Sequence, residues 1–558
     1  MGQIKAGLAV IEALRREGVE HIFGVCGTTT NSIVTELYGR KDIHFVDTRH
    51  EEGAAFMAYG YARASGKPAV CLTTSGPATI NLGTGIALAY KGRAPVIAIG
   101  GDVATEYLER DGAQSFDLVN IFKPITYMSR AANKTERIPE LLRDAFRHAM
   151  AAKRGPVFVD IPRDLLDDQT LDESLVYPAS AYRAQGRIQG DREAVRRAAD
   201  LLSKAQRPVL LAGGGVVDGE ATEEAVALAD LLDMALVPAY GHNDAVPNSH
   251  ALYLGIPGNR GAPEAMEAIH RADVLLALGS RLNQHSTHWN WSVINRETRI
   301  VQIDIDPQEV GRNYPVAVGI VGDAKAVAQQ LLEALPKSKN SKPAWRAEVE
   351  ALAKKRKARL HEEQSLAGDP MMPQRVYPEL RKALPRECMV TLDAGVAPGL
   401  TYDRLSFELP GTFFNYSGHG GLGMGYAVGL GTKVGRPDRP ALSIQGDGGF
   451  LYTSQEINTA VRHRIPLVAL VLNNGCHGAE KAQQKRNFNE RYVGVDLVNP
   501  RFDRLAEVYG ARGFYVTRPD EIADAVSGAL KLDVPSVIEI PVAEHFPVAA
   551  KTPGKGGH

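Results

Sequence analysis

Cysteine is scarce: Cys26, Cys71, Cys388 and Cys476 are the only four in 558 residues, far apart and without CxxC or Cys/His ligand spacing. A disulfide framework and a zinc site are therefore not expected, and a reducing compartment fits such usage. Charge of one sign is also missing, since 64 Lys+Arg stand against 65 Asp+Glu. That balance gives no polyanion-binding field, so nucleic acid is not an expected partner. No apolar run approaches the roughly 20 residues of a membrane span. The opening MGQIKAGLAVIEALRREG reads as an amphipathic helix, not as a basic-then-apolar leader. The expectation is a cytoplasmic protein without membrane contact.

What the chain does have is length, enough for several domains, and a rhythm. Short Val/Ile/Leu-rich runs occur at 43–48, 68–74, 94–100 and 156–162, then at 208–214, 235–240, 273–279 and 299–306, and again at 389–395, 440–448, 466–474 and 535–542. Each is followed by a helix-like stretch. Strands buried on both faces and alternating with helices imply parallel sheets joined by right-handed crossovers. One open sheet of about a dozen strands would exceed the usual limit, so the predicted fold is α/β with three doubly wound parallel-sheet (αβα) domains. Polar stretches at 168–192 and 336–344, the second leading into a charged helix at about 345–365, read as linkers. The expected domains are 1–175, 190–338 and 365–545, with 546–558 composed like a mobile tail. The first and third segments share a similar rhythm.

Chemistry concentrates in the last third. Gly446-Asp447-Gly448-Gly449 ends one apolar run and Asn473-Asn474 ends the next, with 24 residues between Gly448 and Asn473. A strand–helix–strand unit would set Asp447 and Asn474 side by side at the C-terminal edge of a parallel sheet, where such sheets bind ligands. A helix is predicted from about Ser454 to Arg462. Carboxylate and amide oxygens with a nearby carbonyl suit Mg²⁺, which completes its octahedron with phosphate and water. The glycines permit close backbone approach to an anion. GDG alone recurs in many turns; GDG and NN, each at a strand end, form a more specific pattern.

These residues resemble the thiamine-diphosphate signature of the acetolactate synthase and pyruvate decarboxylase superfamily. The likeness spans nearly the whole chain. RHEEGAAFMAYGYARASGKPAVCLTTSGPATINL (49–82) and RGPVFVDIPRDL (154–165) are similar to its pyrimidine-binding domain. DVLLALGSRL (273–282) and RIVQIDIDPQEVGRN (299–313) are similar to its central domain. The resemblance implies thiamine diphosphate and Mg²⁺ as cofactors, with Asp447 and Asn474 as side-chain metal ligands and the Cys476 carbonyl as the third. Gly446, Gly448 and Gly449 would hold the diphosphate, and Gly420 and Leu422, in the stretch Ser417–Gly423, would support the cofactor, Leu422 as the apolar wedge beneath it. Glu51 would hydrogen-bond the aminopyrimidine and favour the imino tautomer that deprotonates the thiazolium carbon; read from sequence alone, it equally suits the start of a helix.

Thr28, Ser75 and Gln114 lie on loops that the resemblance places near the reacting carbon, Thr28 as a hydrogen-bond donor to substrate. His477 and Glu480 are candidates for moving substrate protons, and each also has a plain reading, as a helix-start histidine and as a surface residue paired with Lys481 or Lys485. The segment 477–494 resembles sulfoacetaldehyde acetyltransferases more than acetolactate synthases. The implied activity is cleavage or formation of C–C bonds next to a carbonyl in small 2-oxo acids or aldehydes. The alternatives are an acyl-CoA lyase or decarboxylase, and acyl transfer to phosphate. Intact Glu51, Asp447 and Asn474 argue against a non-catalytic nucleotide-binding relative. Gly213-Gly214-Gly215 leaves FAD, ADP or CoA in the central domain open. The family also implies a homodimer at minimum and a homotetramer beyond it, with each site shared between two chains.

Overall fold

The computed structural model describes residues 2–258, 260–415 and 418–545; Ser417 and the tail 546–558 lie outside the described residues. Three parallel sheets dominate. The first runs His44–Asp47, His21–Val25, Ala69–Thr73, Val96–Asp102, Val157–Pro162 and Ser129–Ala131 in spatial order. The third runs Phe413–Phe414, Met389–Leu392, Ala441–Gly446, Val468–Asn473, Ser536–Pro541 and Arg512–Tyr515. Numbered by chain position within each sheet, both have the order 2-1-3-4-6-5, which gives the shared rhythm of the two segments a topological meaning. The central sheet has five strands, Ala235–Pro238, Pro208–Ala212, Val274–Leu278, Arg299–Asp304 and Val318–Val321. Helices flank each sheet, so the fold is α/β in three doubly wound domains.

The interior strands are the apolar runs: Ala69–Thr73, Val157–Pro162, Val274–Leu278 and Met389–Leu392 are buried along their whole length. Apart from the interior strand His21–Val25, the strands without a matching run are short or lie at edges. Ser129–Ala131 and Arg512–Tyr515 are partly exposed, and an edge strand needs less apolar surface. The stretch from 168 is not a free linker. Thr170–Asp172 pairs antiparallel with Gln3–Lys5, and Leu171 and Val176 are buried. The helix Pro343–Gln364 begins within the second polar stretch and packs on the central domain, where Trp345 donates its indole N–H to the Pro208 carbonyl at 3.0 Å.

The first and third domains meet through two helices rich in small residues, Glu51–Ser65 and Met424–Gly435. A Cβ on Gly60 would lie 2.1 Å from the Val428 carbonyl oxygen, and one on Gly431 would lie 1.9 Å from that of Met57. The two backbones approach as closely as glycine allows. His50 caps the first helix by accepting the Glu52 N–H, and Gly66 ends it in the left-handed region at φ 70°.

Candidate active site

In each sheet the strand order reverses between the first strand and the third, and that crevice is where open α/β sheets bind ligands. In the third domain it lies between Met389–Leu392 and Ala441–Gly446. The latter pairs in parallel with Val468–Asn473, Gly446 opposite Leu472, so Asp447 and Asn473-Asn474 leave the sheet next to each other. The helix expected from about Ser454 is longer and divided. Asp447–Thr453 starts at Asp447 itself, and Glu456–Arg462 follows. A helix that begins on the aspartate turns its first backbone N–H groups toward the carboxylate.

Asp447 is 2% exposed. Burial raises its pKa, opposed by the amide of Asn499, which donates to Oδ2 at 2.7 Å, and by backbone N–H groups of Gly448 and Gly475. The Cys476 backbone is pinned by a short antiparallel bridge to Asp496: His477 N–H donates to Val495 O, and Leu497 N–H to Gly475 O, each at 2.8 Å. Burial pushes the Cys476 thiol up to about 11, so the side chain stays a neutral thiol. Among the described residues no group of three His, Cys, Asp or Glu side chains could hold a metal. The donor set of Asp447, Asn474 and a carbonyl is all oxygen and carries one charge, which fits Mg²⁺ with phosphate and not zinc.

The glycines have specific neighbours. A Cβ on Gly448 would lie 2.7 Å from Cε1 of His477, whose ring therefore covers the GDG turn. A Cβ on Gly449 would lie 2.7 Å from Oδ2 of Asp393 and 3.3 Å from Cδ1 of Leu422. Leu422 is half-buried beside that helix, and Gly420 and Gly423, at φ 74° and 88°, let its loop turn. Asp393 is fully buried, accepts the N–H of Ala394 at 2.6 Å and of Gly423 at 3.0 Å, and is pushed up to about 7 by burial. Glu480 is exposed on the helix Gly478–Asn487. Its expected surface partners turn elsewhere, Lys481 to Asp496 at 2.7 Å and to Glu544, and Lys485 to Glu490 at 3.7 Å.

In the first domain the crevice lies between His21–Val25 and Ala69–Thr73. Ser75 donates its hydroxyl to Gln114 Oε1 at 3.1 Å, and Gln114 itself sits in the left-handed region at φ 65°. Thr28 is exposed at the start of a short turn, while its neighbour Thr29 ties the loops together, meeting Thr74 Oγ1 at 3.0 Å and accepting the Ser75 N–H at 3.2 Å. Glu51 accepts the Asn81 amide at 2.9 Å. Burial raises the pKa of its neighbour Glu52.

Within one chain, the third-domain carboxylate at the start of helix Glu51–Ser65 is Glu456. It is fully buried and accepts the N–H groups of His50 at 3.0 Å and Arg49 at 3.1 Å. Glu456, Asp393, Asn499 and Thr29 were not legible in advance. Glu456 sits in an ordinary helical stretch, and Asn499-Pro500 reads as a turn.

A cavity of about 1390 Å³ opens between the first and central domains, walled by Arg93 and Lys153 on one side and Gly213–Gly215, Arg281 and Asp304 on the other. The three glycines have a packing reason independent of any ligand, because a Cβ on Gly213 would lie 2.2 Å from the Gly279 carbonyl oxygen. Its cations are largely matched: Arg93 reaches Glu309 at 2.9 Å and Asp304 and Asp306 at 3.4 Å, and Lys153 reaches Asp306 at 2.8 Å. Among the described residues no helix is long and apolar enough to cross a membrane.

Three α/β domains, a first and a third of matching topology, and an oxygen-donor cleft at the third domain's switch point define an enzyme built around a diphosphate cofactor. The chain belongs to the thiamine pyrophosphate enzyme family. Residues 4–121 match its N-terminal TPP binding domain, 195–331 its central domain and 393–540 its C-terminal TPP binding domain. A "probable acetolactate synthase large subunit" of Methanocaldococcus jannaschii is 34% identical over 98% of this chain and 93% of its own length. The acetolactate synthase large subunit of Corynebacterium glutamicum is 33% identical over 96% and 86%. The sulfoacetaldehyde acetyltransferase of Castellaniella defragrans is 33% identical over 94% and 90%. The protein is thus a thiamine-diphosphate enzyme.

Proposed function

We propose that the enzyme is Mg²⁺-dependent and cleaves or forms C–C bonds next to the carbonyl of small 2-oxo acids or aldehydes, as an acetolactate synthase-like decarboxylase and carboligase. When bound, the cofactor supplies a nucleophilic carbon and an electron sink. Asp447, Asn474 and the Cys476 carbonyl would hold the metal, the Gly446–Gly449 backbone would accommodate the diphosphate, and Leu422 would support the cofactor. Glu51 would hydrogen-bond the pyrimidine ring and hold a proton at its carboxylate. Ser75 contacts the cofactor, Thr28 and Gln114 orient the substrate carbonyl, and His477 and Glu480 deliver or remove protons at the substrate.

The first-domain residues serve the third domain of a partner subunit, so a homodimer is the smallest active unit and a homotetramer its natural extension. This is supported by the exposure of Thr28 and Gln114 in the single chain, and by the placement of Glu456, not Asp447, at the start of the Glu51 helix. The observation that carries the whole reading is the buried Asp447 beside Asn474 at the sheet's switch point.

A panel of 2-oxo acids and aldehydes, with CO₂ release and carboligation products followed by ¹³C NMR, tests it. Turnover of a 2-oxo acid, abolished by Glu51→Gln with the cofactor still bound, is the expected result; no turnover of any member contradicts it. The sulfoacetaldehyde acetyltransferase relatives, at 33% identity, support a second reading, acyl transfer to phosphate. It requires phosphate-dependent formation of an acyl phosphate, and an acyl-CoA arm of the panel tests the lyase alternative.

A further inference from the structure

We propose that Asn499 is a positioning residue for the metal-ligating carboxylate, held in register by a file of side chains that ends on the buried Glu539. This rests on the reading of Asp447 as a metal ligand. Glu539, on the strand next to Val468–Asn473, is 2% exposed. Its Oε1 accepts the Asn473 amide at 2.8 Å, and its Oε2 accepts the Phe502 N–H at 2.7 Å. With its Nδ2 committed to a carboxylate, Asn473 turns Oδ1 the other way, where it accepts the Gly475 N–H at 3.2 Å and the Asn499 amide at 3.1 Å. The same Asn499 Nδ2 donates to Asp447 Oδ2 at 2.7 Å.

Each amide orientation is dictated by its neighbours. A carboxylate at each end and an acceptor oxygen in the middle leave one assignment of N and O along Glu539–Asn473–Asn499–Asp447. Asn499 Nδ2 thereby fixes one oxygen of Asp447, so that the other is presented to a cation in a constant direction. Asn499 Oδ1 is buried and accepts no hydrogen bond among the described residues. A buried acceptor beside a ligand carboxylate is costly unless it is filled, and a water bound to a hydrated divalent cation is the donor such an atom suits. The segment that carries Asn499 also backs the rest of the site. Val495 and Leu497 bracket Cys476 with two backbone hydrogen bonds, and Leu497 Cδ1 would lie 3.2 Å from a Cβ on Gly448. The first asparagine of the Asn473-Asn474 pair is accordingly a relay, and the second is left to the metal.

The test is Mn²⁺ binding to the cofactor-stripped full-length protein, read by electron paramagnetic resonance in the presence of thiamine diphosphate, for wild type, Asn499→Ala and Glu539→Gln. Melting temperature and sedimentation of each stripped protein are recorded alongside. Outer-shell partners of metal ligands change affinity by about 10–100-fold when removed. Asn499→Ala is expected to weaken Mn²⁺ by that factor while the stripped protein melts and sediments like wild type. Glu539→Gln, which lets Asn473 flip, is expected to weaken it by about 3–10-fold, the lower part of that scale, and it carries the test should Asn499→Ala not fold. Wild-type affinity in both variants overturns the proposal. So does a parallel loss of metal binding and of stripped-protein stability in both, which would mark a merely structural role. Absence of Mn²⁺ and cofactor binding in wild type instead overturns the metal-site reading, and this proposal with it.

Discussion

Removing the Glu456 carboxylate attacks the junction between the first and third domains at one point. Its oxygens accept the N–H groups of Arg49 and His50 and the hydroxyl of Thr459, the last at 2.6 Å, in a fully buried position. A Cβ on Gly53 would lie 2.5 Å from its Oε1, so the helix start is shaped around this group. Glu456→Ala leaves those N–H donors at the start of a 15-residue helix without their acceptor. Each N–H donor left unsatisfied costs about 1–3 kcal/mol, and the two donors share one acceptor group. Their costs overlap, which puts the destabilisation at about 3 kcal/mol. For domains of this size that lowers the melting temperature by roughly 6–12 °C. Glu456→Gln keeps one acceptor oxygen and should cost about 1–2 kcal/mol. Differential scanning calorimetry of the three stripped proteins at one concentration measures this directly. A Glu456→Ala melting temperature within about 2 °C of wild type, less than one kcal/mol at this size, would refute the reasoning, because it would mean the buried N–H groups had found another acceptor.

Two other perturbations have a clear direction. Gly60→Ala places a methyl group 2.1 Å from the Val428 carbonyl oxygen, and separating the two helices should cost about 1–3 kcal/mol or more, read as a lower urea midpoint. Asp160 is 4% exposed; burial first, and repulsion from the adjacent Asp102 second, raise its pKa. The folded chain therefore keeps a proton that the unfolded chain releases near pH 4, and stability declines as pH rises above that value. Asp160→Asn removes this dependence. Its melting temperature should gain on wild type between pH 5 and pH 9, by on the order of 1–3 kcal/mol or several degrees, and a pH-independent difference would show that the carboxyl is not protonated when folded.

Much of the fold was legible because parallel strands buried on both faces leave continuous apolar runs, and all twelve runs read from the sequence became strands. Edge strands such as Arg512–Tyr515 left no such trace, since their outer side faces solvent and mixed residues suffice there. The cleft that brings Asp447 to Asn473-Asn474 was legible because those residues are fixed by chain spacing on adjacent strands. What surrounds it was not. Glu456, Asp393 and Asn499 act through contacts between segments 30 to 407 residues apart, and no local pattern marks a single polar residue destined for such a contact. Gly213-Gly214-Gly215 shows the converse, a nucleotide-like pattern whose first glycine also has a packing reason in the approach of Gly279.

The central claim is that Asp447 and its neighbours hold thiamine diphosphate through a divalent cation. Isothermal titration of thiamine diphosphate into stripped protein, with and without Mg²⁺, in wild type and Asp447→Ala, tests it most directly. Binding that requires Mg²⁺ in wild type and is lost in Asp447→Ala is the expected result. Equal binding without Mg²⁺, or unchanged binding in the variant, would contradict it.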